Sequence, residues 1–192
     1  MTSLAGCLVL HSKRASYIMR KLLLLGGVPC VGKSYLCHNL QFNYWVNVIS
    51  LDLIGLILDT YLEKRNIALA YDTTLTELLD TLIMSFDRDD VPWIIEGYHL
   101  SYSTVSSYVS ERVLYRMCVT NLSTYANRHL EICGSLEEAS MSYNQYYLRS
   151  CCPAEYELDV TNLSYAVAVV VQALQLEPRE ASEGCTPKVV PI

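Results

Sequence analysis

The hydrophobic positions of the chain follow two alternating patterns. Short apolar runs, which are typical of strands, are separated by segments whose apolar residues recur every three or four positions, as in amphipathic helices. The apolar runs predict strands at residues 22–25, 45–50, 91–95, 113–119 and 157–160. Strands that alternate with helices predict an α/β fold, with a parallel sheet covered by helices on both faces.

The helical segments lie between and after these strands. The clearest helical pattern follows Thr74, which forms a capping-box pattern with Glu77 ahead of a continuous apolar face. Further helices are predicted at 33–43, from Asp52 onward, within 99–111, and at 121–132, 135–149 and 161–176. We expect a charged turn at 87–90 and, because prolines recur there, a disordered tail at 177–192.

The most specific motif follows the first predicted strand. Gly27, Gly32, Lys33 and Ser34 match G-x-x-x-x-G-K-[ST], the phosphate-binding loop. Glycines let the chain curl so that several backbone N–H groups point into one concavity, and the next helix adds its N-terminal amides and dipole. In this motif the lysine reaches the β- and γ-phosphates and the serine hydroxyl binds Mg²⁺.

The motif therefore predicts a nucleotide polyphosphate and Mg²⁺ as cofactors, and the other motifs of the chain narrow the nucleotide to ATP. We expect Lys33 to be catalytic and Ser34 to be a metal ligand. The nucleotide is expected to contact all residues of the loop. These residues are Gly27, Val28, Pro29, Cys30, Val31, Gly32, Lys33, Ser34 and Tyr35.

Two carboxylates follow neighbouring predicted strands. Asp52 comes directly after the second strand, and Glu96 ends the third. Ligands of parallel sheets bind at the carboxyl ends of the strands, so these side chains are expected beside the loop. A buried strand-end carboxylate such as Glu96 needs a cation or hydrogen-bond donors. Asp52 has an alternative interpretation as the N-cap of the helix that begins at Leu53.

Composition narrows the possible partners. The net charge of −6 argues against a general nucleic-acid binder, and no apolar run approaches the ~20 residues that span a bilayer. The eight cysteines contain no C-x-x-C pair, which favours reduced thiols in a cytoplasmic protein. Residues 1–18 carry Lys13 and Arg14 and no acid, so they are interpreted as a frayed extension or as an organellar targeting segment.

Other motifs limit the type of phosphate-loop protein. The chain has no N-K-x-D motif, which a GTPase would need, and no LSGGQ-type signature of an ABC ATPase. It is also too short for a motor ATPase with its lid domain. A compact kinase of the adenylate-kinase-like group remains, which would transfer a phosphoryl group mostly by positioning and charge neutralisation.

Four blocks carry a resemblance to a known family. GGVPCVGKS (26–34), VISLD (48–52), WIIEGYHL (93–100) and YELDVTNLS (156–164) resemble blocks of the 2-phosphoglycerate kinase-like P-loop family, in the same order. The resemblance implies a three-layer α/β/α P-loop NTPase fold over 19–176, with strand order 2-3-1-4-5 and a small helical lid at about 121–152. It implies an ATP- and Mg²⁺-dependent kinase acting on a hydroxyl of a small metabolite.

The resemblance also implies roles for single residues. Asp52 would lie near the acceptor hydroxyl and orient it or accept its proton, and Glu96 would hold Mg²⁺ through water. His99 matches the family histidine. Arg128, and less clearly Arg149, would supply positive charge from the lid to the transferred phosphoryl group. The alternative interpretations are a packed histidine for His99 and surface arginines for Arg128 and Arg149.

The chain departs from the family at one informative position. The family usually has an arginine three residues after the aspartate, where this chain has Gly55. Because the missing arginine would suit an acidic acceptor, this change argues against phosphoglycerate as the acceptor more than it argues against ATP as the nucleotide. A nucleotide-binding regulatory protein without transfer, and an ATPase coupled to another chain, remain alternatives. The expected partner is a small hydroxylated acceptor, with phosphorylated and acidic metabolites, nucleosides and nucleotides all left open, rather than nucleic acid or membrane. The chain is expected to be a monomer or homodimer.

Overall fold

The computed structural model describes residues 21–63, 71–86, 91–133 and 135–179. Its strands are β1 (Leu22–Gly26), β2 (Asn47–Ser50), β3 (Trp93–Glu96), β4 (Val113–Val119) and β5 (Glu157–Asp159). All neighbouring strands pair in parallel, in the order β2-β3-β1-β4-β5. This order confirms the predicted topology. The predicted extension at 1–18, the charged turn at 87–90 and residues 180–192 of the tail lie outside the described residues.

Helices connect the strands and cover the sheet. They are α1 (Lys33–Asn43), α2 (Leu51–Glu63), α3 (Tyr71–Ser85), α4 (Tyr102–Val105), α5 (Leu122–Cys133), α6 (Leu136–Ser150) and α7 (Leu163–Leu174). Within the described parts of the chain, no helix is long and apolar enough to cross a membrane.

Side-chain caps fix where three of these helices begin. The side chains of Asn121, Ser135 and Asn162 accept hydrogen bonds from backbone N–H groups in the first turns of α5, α6 and α7. These caps confirm the predicted starts of the three helices. The valines of α7 favour strand by propensity, but its Val170 and Leu174 are buried one turn apart in the core, and this packing outweighs propensity.

Four predicted boundaries are wrong. Strand β3 begins at Trp93, two residues later than the predicted start at 91. Helix α3 begins at Tyr71, so Thr74 lies inside its first turn and is not a cap. The predicted helix within 99–111 is limited to α4, which Ser101 caps. Strand β2 begins at Asn47, two residues later than predicted.

Residues after α7 pack against the end of α1 and the segment that follows it. The backbone N–H of Trp45 donates to the carbonyl of Glu177, and the backbone N–H of Arg179 donates to the carbonyl of Asn43. An isolated antiparallel bridge joins Tyr44 to Pro178. The first three residues of the predicted tail are therefore hydrogen bonded to the rest of the fold.

The core is centred on β1. Leu22, Leu23, Leu24 and Leu25 are at most 1% exposed, because β3 and β4 flank the strand and helices cover both of its faces. On α1, Leu36 and Leu40 are fully buried and anchor the helix to this core. Burial on both sides fixes the end of β1 in the middle of the carboxyl edge of the sheet, where the phosphate loop begins.

Truncation of the central strand is expected to be costly. Leu24→Ala removes a fully buried side chain, so we expect a loss of about 3 kcal/mol in the free energy of unfolding, measured by urea denaturation. The matched control is Leu148→Ala on α6, where the side chain is 78% exposed and the expected change is below about 0.5 kcal/mol. Equal effects of the two changes would contradict the assigned core.

Candidate functional site

The loop between β1 and α1 has a conformation that depends on glycine. Gly27 and Gly32 have φ values of 141° and 120°, which side chains rarely adopt. A Cβ on Gly27 would lie 3.0 Å from the carbonyl oxygen of Cys118, and one on Gly32 would lie 3.0 Å from Nη1 of Arg128. Cys30 also has a left-handed φ of 65°, which is strained for a non-glycine residue. The curl predicted from the motif is therefore present.

Helix α1 begins immediately after this curl. Gly32 precedes the helix and has no side chain that could cap it. The first N–H groups of a helix have no partner within the helix, and its N-terminus carries a partial positive charge. The loop and the helix end together form an arrangement of N–H groups suited to an anion such as a phosphate.

Lys33 lies inside the loop rather than on the surface. It is 5% exposed, and its Nζ donates to the carbonyl oxygens of Gly27 (2.8 Å) and Val28 (3.2 Å). An ammonium group has three N–H donors, so two are used by the loop and one remains for a ligand. The structure thus places the Lys33 ammonium at the loop itself.

Ser34 and Glu96 come together from different elements. The hydroxyl of Ser34, in the first turn of α1, donates to Oε1 of Glu96 at 3.3 Å. Glu96 is 3% exposed, and its Oε2 is buried with no hydrogen-bond partner among the described residues. A buried carboxylate oxygen without a donor is costly, and a cation would remove that cost.

The Ser34 hydroxyl and the Glu96 carboxylate are ligands suited to magnesium in particular. Within the described residues, no group of three or more His, Cys, Asp or Glu side chains could hold a metal ion alone. Mg²⁺ prefers oxygen ligands and in nucleotide sites is bound by one or two protein side chains, with phosphates and water completing its shell. A hydroxyl and a carboxylate beside a phosphate loop match that requirement.

Asp52 lies at the same edge of the sheet. The pairing of Ser50 with Glu96 aligns the ends of β2 and β3, and Asp52 follows two residues later. Its Oδ1 accepts the backbone N–H of Tyr98 at 2.8 Å. The alternative role as a helix N-cap is wrong, because α2 begins at Leu51.

Arg128 contacts the loop from α5. Its Nη1 donates to the carbonyl oxygen of Val31 at 2.8 Å. A surface arginine is therefore the wrong interpretation of this residue. The contact fixes the guanidinium next to Gly32, at the start of α1. The catalytic role of Arg128 stays a prediction.

Three tyrosines dock α6 onto the carboxyl edge of the sheet. The hydroxyl of Tyr146 accepts the backbone N–H of Gly27 (3.0 Å) and donates to the carbonyl of Tyr98 (2.9 Å). The hydroxyls of Tyr143 and Tyr147 donate to the carbonyls of Thr120 and Cys118. Spacings of three and four residues place the tyrosines on one helix face.

Burial makes these hydroxyl groups harder to ionise. Desolvation raises the pKa of Tyr143, Tyr146 and Tyr147 above the ordinary tyrosine value. A tyrosine hydroxyl is protonated at neutral pH in any case, so the raised pKa extends its role as a donor to more alkaline pH. Sequence reasoning left these tyrosines out of the candidate site, and their helical spacing was the only available signal.

The described cysteines form no site of their own. Disulfide bonds are absent among the described cysteines Cys30, Cys37, Cys118, Cys151 and Cys152. Burial raises the pKa of Cys118 to about 12 and that of Cys37 well above its usual value, so these two thiols are protonated and unreactive at neutral pH.

A cavity of about 350 Å³ opens beside the loop. Val28 and Pro29 form its loop side, and residues that follow β3 or belong to α5 and α6 form the rest, including His99 and Arg149. Cavities of this size hold small metabolites. The structure therefore brings the two remaining sequence candidates into one cavity next to the phosphate loop.

Comparison with known proteins identifies the fold. No protein-family model matches the chain, and no curated protein matches it. The tunicamycin resistance protein of Deinococcus radiodurans is similar with a TM-score of 0.59 and 13% identity, over 84% of this chain and 99% of that one. A sugar kinase from Janibacter sp. has a TM-score of 0.54 and 12% identity, over 82% and 95% of the two chains. A gluconokinase from Sinorhizobium meliloti has a TM-score of 0.50 and 15% identity, over 82% and 93%.

At these identities the likeness establishes the fold alone. The chain has the three-layer α/β/α fold of P-loop NTPases, in the form found in P-loop kinases. The specific resemblance to the 2-phosphoglycerate kinase-like family is not confirmed and stays a prediction.

The Tyr146 hydroxyl is expected to stabilise the site measurably. Tyr146→Phe leaves the N–H of Gly27 and the carbonyl of Tyr98 without this partner, so we expect a loss of about 1–3 kcal/mol in the free energy of unfolding by urea denaturation. Tyr165→Phe, at a side chain that is 57% exposed, is the matched control and should be near neutral. A Tyr146→Phe protein as stable as wild type would show that the bridge contributes nothing.

Proposed function

We propose that the protein is an ATP- and Mg²⁺-dependent kinase that transfers the γ-phosphoryl group to a hydroxyl of a small metabolite. The observation that carries the proposal is the buried Glu96 carboxylate, which meets Ser34 at the start of α1, with one oxygen lacking a partner among the described residues. Such an oxygen is accounted for by a cation in front of a phosphate loop.

The nucleotide side of the site follows from the loop. Backbone N–H groups and the N-terminus of α1 bind the phosphates, and Lys33 adds a positive charge inside the loop. Ser34 and Glu96 would hold Mg²⁺, which when bound neutralises charge on the phosphate oxygens. Phosphoryl transfer requires mainly this positioning and charge neutralisation from the protein.

The acceptor side is assigned to Asp52. One carboxylate oxygen is held by the backbone N–H of Tyr98, which fixes the side chain and leaves the other oxygen for a ligand. In this position Asp52 orients the acceptor hydroxyl or accepts its proton. Arg128, fixed on the carbonyl of Val31, supplies positive charge to the phosphoryl group in transfer.

Two fold neighbours support the reaction class. One is a sugar kinase and the other is a gluconokinase. We propose by analogy that this chain also acts on a small hydroxylated compound, which makes a small molecule its partner rather than nucleic acid or membrane. A cytoplasmic location and a monomeric or homodimeric state belong to the same proposal.

One position favours a second candidate function. Gly55, on α2, lacks the cationic side chain that the resembled family places there. A protein of this fold that binds the nucleotide but transfers nothing would serve as a regulatory or interaction protein. Saturable ATP binding without ADP formation, across a broad panel of hydroxylated acceptors, would favour this candidate over the kinase.

Removal of the loop lysine should abolish transfer. We expect Lys33→Met, which keeps the length of the side chain but not its charge, to lower ADP formation with an active acceptor by at least ~10²-fold. Lys21→Met is the control, since Lys21 precedes β1 at the opposite edge of the sheet and donates to the carbonyl of Ala173. Transfer at the wild-type rate by Lys33→Met would overturn the assigned loop chemistry.

The Asp52 carboxylate should affect turnover more than nucleotide affinity. Asp52→Asn keeps an acceptor for the Tyr98 N–H but loses the charge, so kcat is expected to fall by about 10²–10⁴-fold with ATP affinity nearly unchanged. Asp159→Asn is the matched control, because Asp159 also accepts a backbone N–H, that of Thr161. Equal losses of turnover and ATP affinity in Asp52→Asn would reduce Asp52 to a structural residue.

A further inference from the structure

The cavity beside the loop is formed by four separate parts of the chain. Val28 and Pro29 belong to the first half of the phosphate loop, His99 follows β3, His129 lies on α5 and Arg149 on α6. Since a phosphoryl group bound at the loop would lie next to Val28 and Pro29, a molecule in this cavity would be adjacent to it. The position therefore suits the second substrate of the proposed kinase.

The ionisable side chains of the cavity differ from those of the protein as a whole. One arginine, Arg149, and two histidines, His99 and His129, line it, each from a different part of the chain. None of the described residues that line it is Asp or Glu, although the chain has a net charge of −6. Asp52 is adjacent to the lining, because its Oδ1 accepts the backbone N–H of the lining residue Tyr98. The guanidinium of Arg149 is a positive charge at the cavity and attracts anions.

His129 is an unusual residue to find in this wall. It is only 9% exposed, and its Nδ1 is buried with no hydrogen-bond partner among the described residues. Its ring packs against that of Tyr125, with centroids 5.5 Å apart. An apolar ring would pack equally well at this position, and a buried polar atom without a hydrogen-bond partner is destabilising. The imidazole also lines the cavity, so a ligand bound there would lie next to its ring.

Arg149 has the chemistry to bind the anion directly. It lies in the last turn of α6, where a positive charge is favoured by the helix dipole, and its side chain is exposed to the cavity. The planar guanidinium matches the geometry of carboxylate and phosphate groups and forms paired hydrogen bonds with them.

Neutral polar groups complete the lining. Ser142 presents a hydroxyl and Gln145 an amide, whereas the hydroxyls of Ser101 and Thr104 are hydrogen bonded to each other at 2.7 Å. Hydroxyl and amide groups both donate and accept hydrogen bonds, as a polyhydroxylated ligand requires. We propose that this cavity binds the acceptor, and that the acceptor is a polyhydroxylated metabolite whose carboxylate or phosphate is held by Arg149 and His129.

That the bound metabolite is an acceptor depends on the proposed kinase function, but its binding to the cavity requires no phosphoryl transfer. The test uses the full chain saturated with Mg²⁺ and a non-hydrolysable ATP analogue, so that the phosphate loop is occupied. Three six-carbon probes are titrated by calorimetry: gluconate, glucose 6-phosphate and neutral sorbitol. We expect at least one anion to bind about tenfold or more tightly than sorbitol, and the preferred anion distinguishes carboxylate from phosphate.

Substitutions of cavity residues test whether the anion binds in this cavity. Arg149→Gln and His129→Gln are each expected to weaken the preferred anion by about tenfold while the affinity for the ATP analogue is kept. Arg112→Gln is the matched control, because Arg112 is exposed and precedes β4 at the opposite edge of the sheet. Arg149 is on the surface, so its substitution reports on the cavity even if His129→Gln fails to fold.

The outcomes separate this inference from the proposed function. Equal or tighter binding of sorbitol, binding of none of the probes, or full anion affinity in Arg149→Gln would overturn the inference and leave the kinase proposal intact. Failure of wild type to bind the ATP analogue would overturn the kinase proposal. Gluconate titrated without nucleotide would still test the cavity in that case, because it has no phosphate for the loop.

Discussion

The site depends on how the carbonyl oxygens of the phosphate loop are held. Lys33 binds the carbonyls of Gly27 and Val28, and Arg128 binds that of Val31. Both donors are cationic, and a peptide whose carbonyl is fixed on one side presents its N–H on the other. The loop can therefore direct N–H groups toward a bound anion, which is the requirement for a phosphate site. Burial of β1 fixes where this curl begins.

A chain of hydrogen bonds joins the two halves of the site. Asp52 accepts the N–H of Tyr98, the carbonyl of Tyr98 accepts the hydroxyl of Tyr146, and that hydroxyl accepts the N–H of Gly27. The ends of β1 and β3 and the helices α2 and α6 are thus fixed relative to one another. Transfer between two bound substrates depends on such positioning, because small displacements of the reacting groups cost large factors in rate. The region expected to form a lid is tied into this network through α6.

The features that could be predicted from the sequence are those that depend on residues close to one another along the chain. The run Leu22–Leu25, the loop motif and the capping residues Ser135 and Asn162 are local signals, and the strands and helices they indicate are confirmed. The strand order came from a family resemblance rather than from the pattern. The bridge from Tyr146 to Gly27 spans 119 residues, and the lining of the cavity by His129 requires α5 and α6 to be docked. No local pattern encodes such contacts, which explains why the tyrosine bridge and His129 were not predicted.

The central claim is that the loop, Ser34 and Glu96 together bind ATP with Mg²⁺. The most direct measurement is a calorimetric titration of the full chain with ATP, in the presence of Mg²⁺ and again with Mg²⁺ removed by a chelator. We predict saturable binding at one site per chain, weakened about tenfold or more without Mg²⁺ because the cation joins Glu96 to the phosphates. Absence of saturable ATP binding under both conditions, or binding that is indifferent to Mg²⁺, would contradict this account of the site.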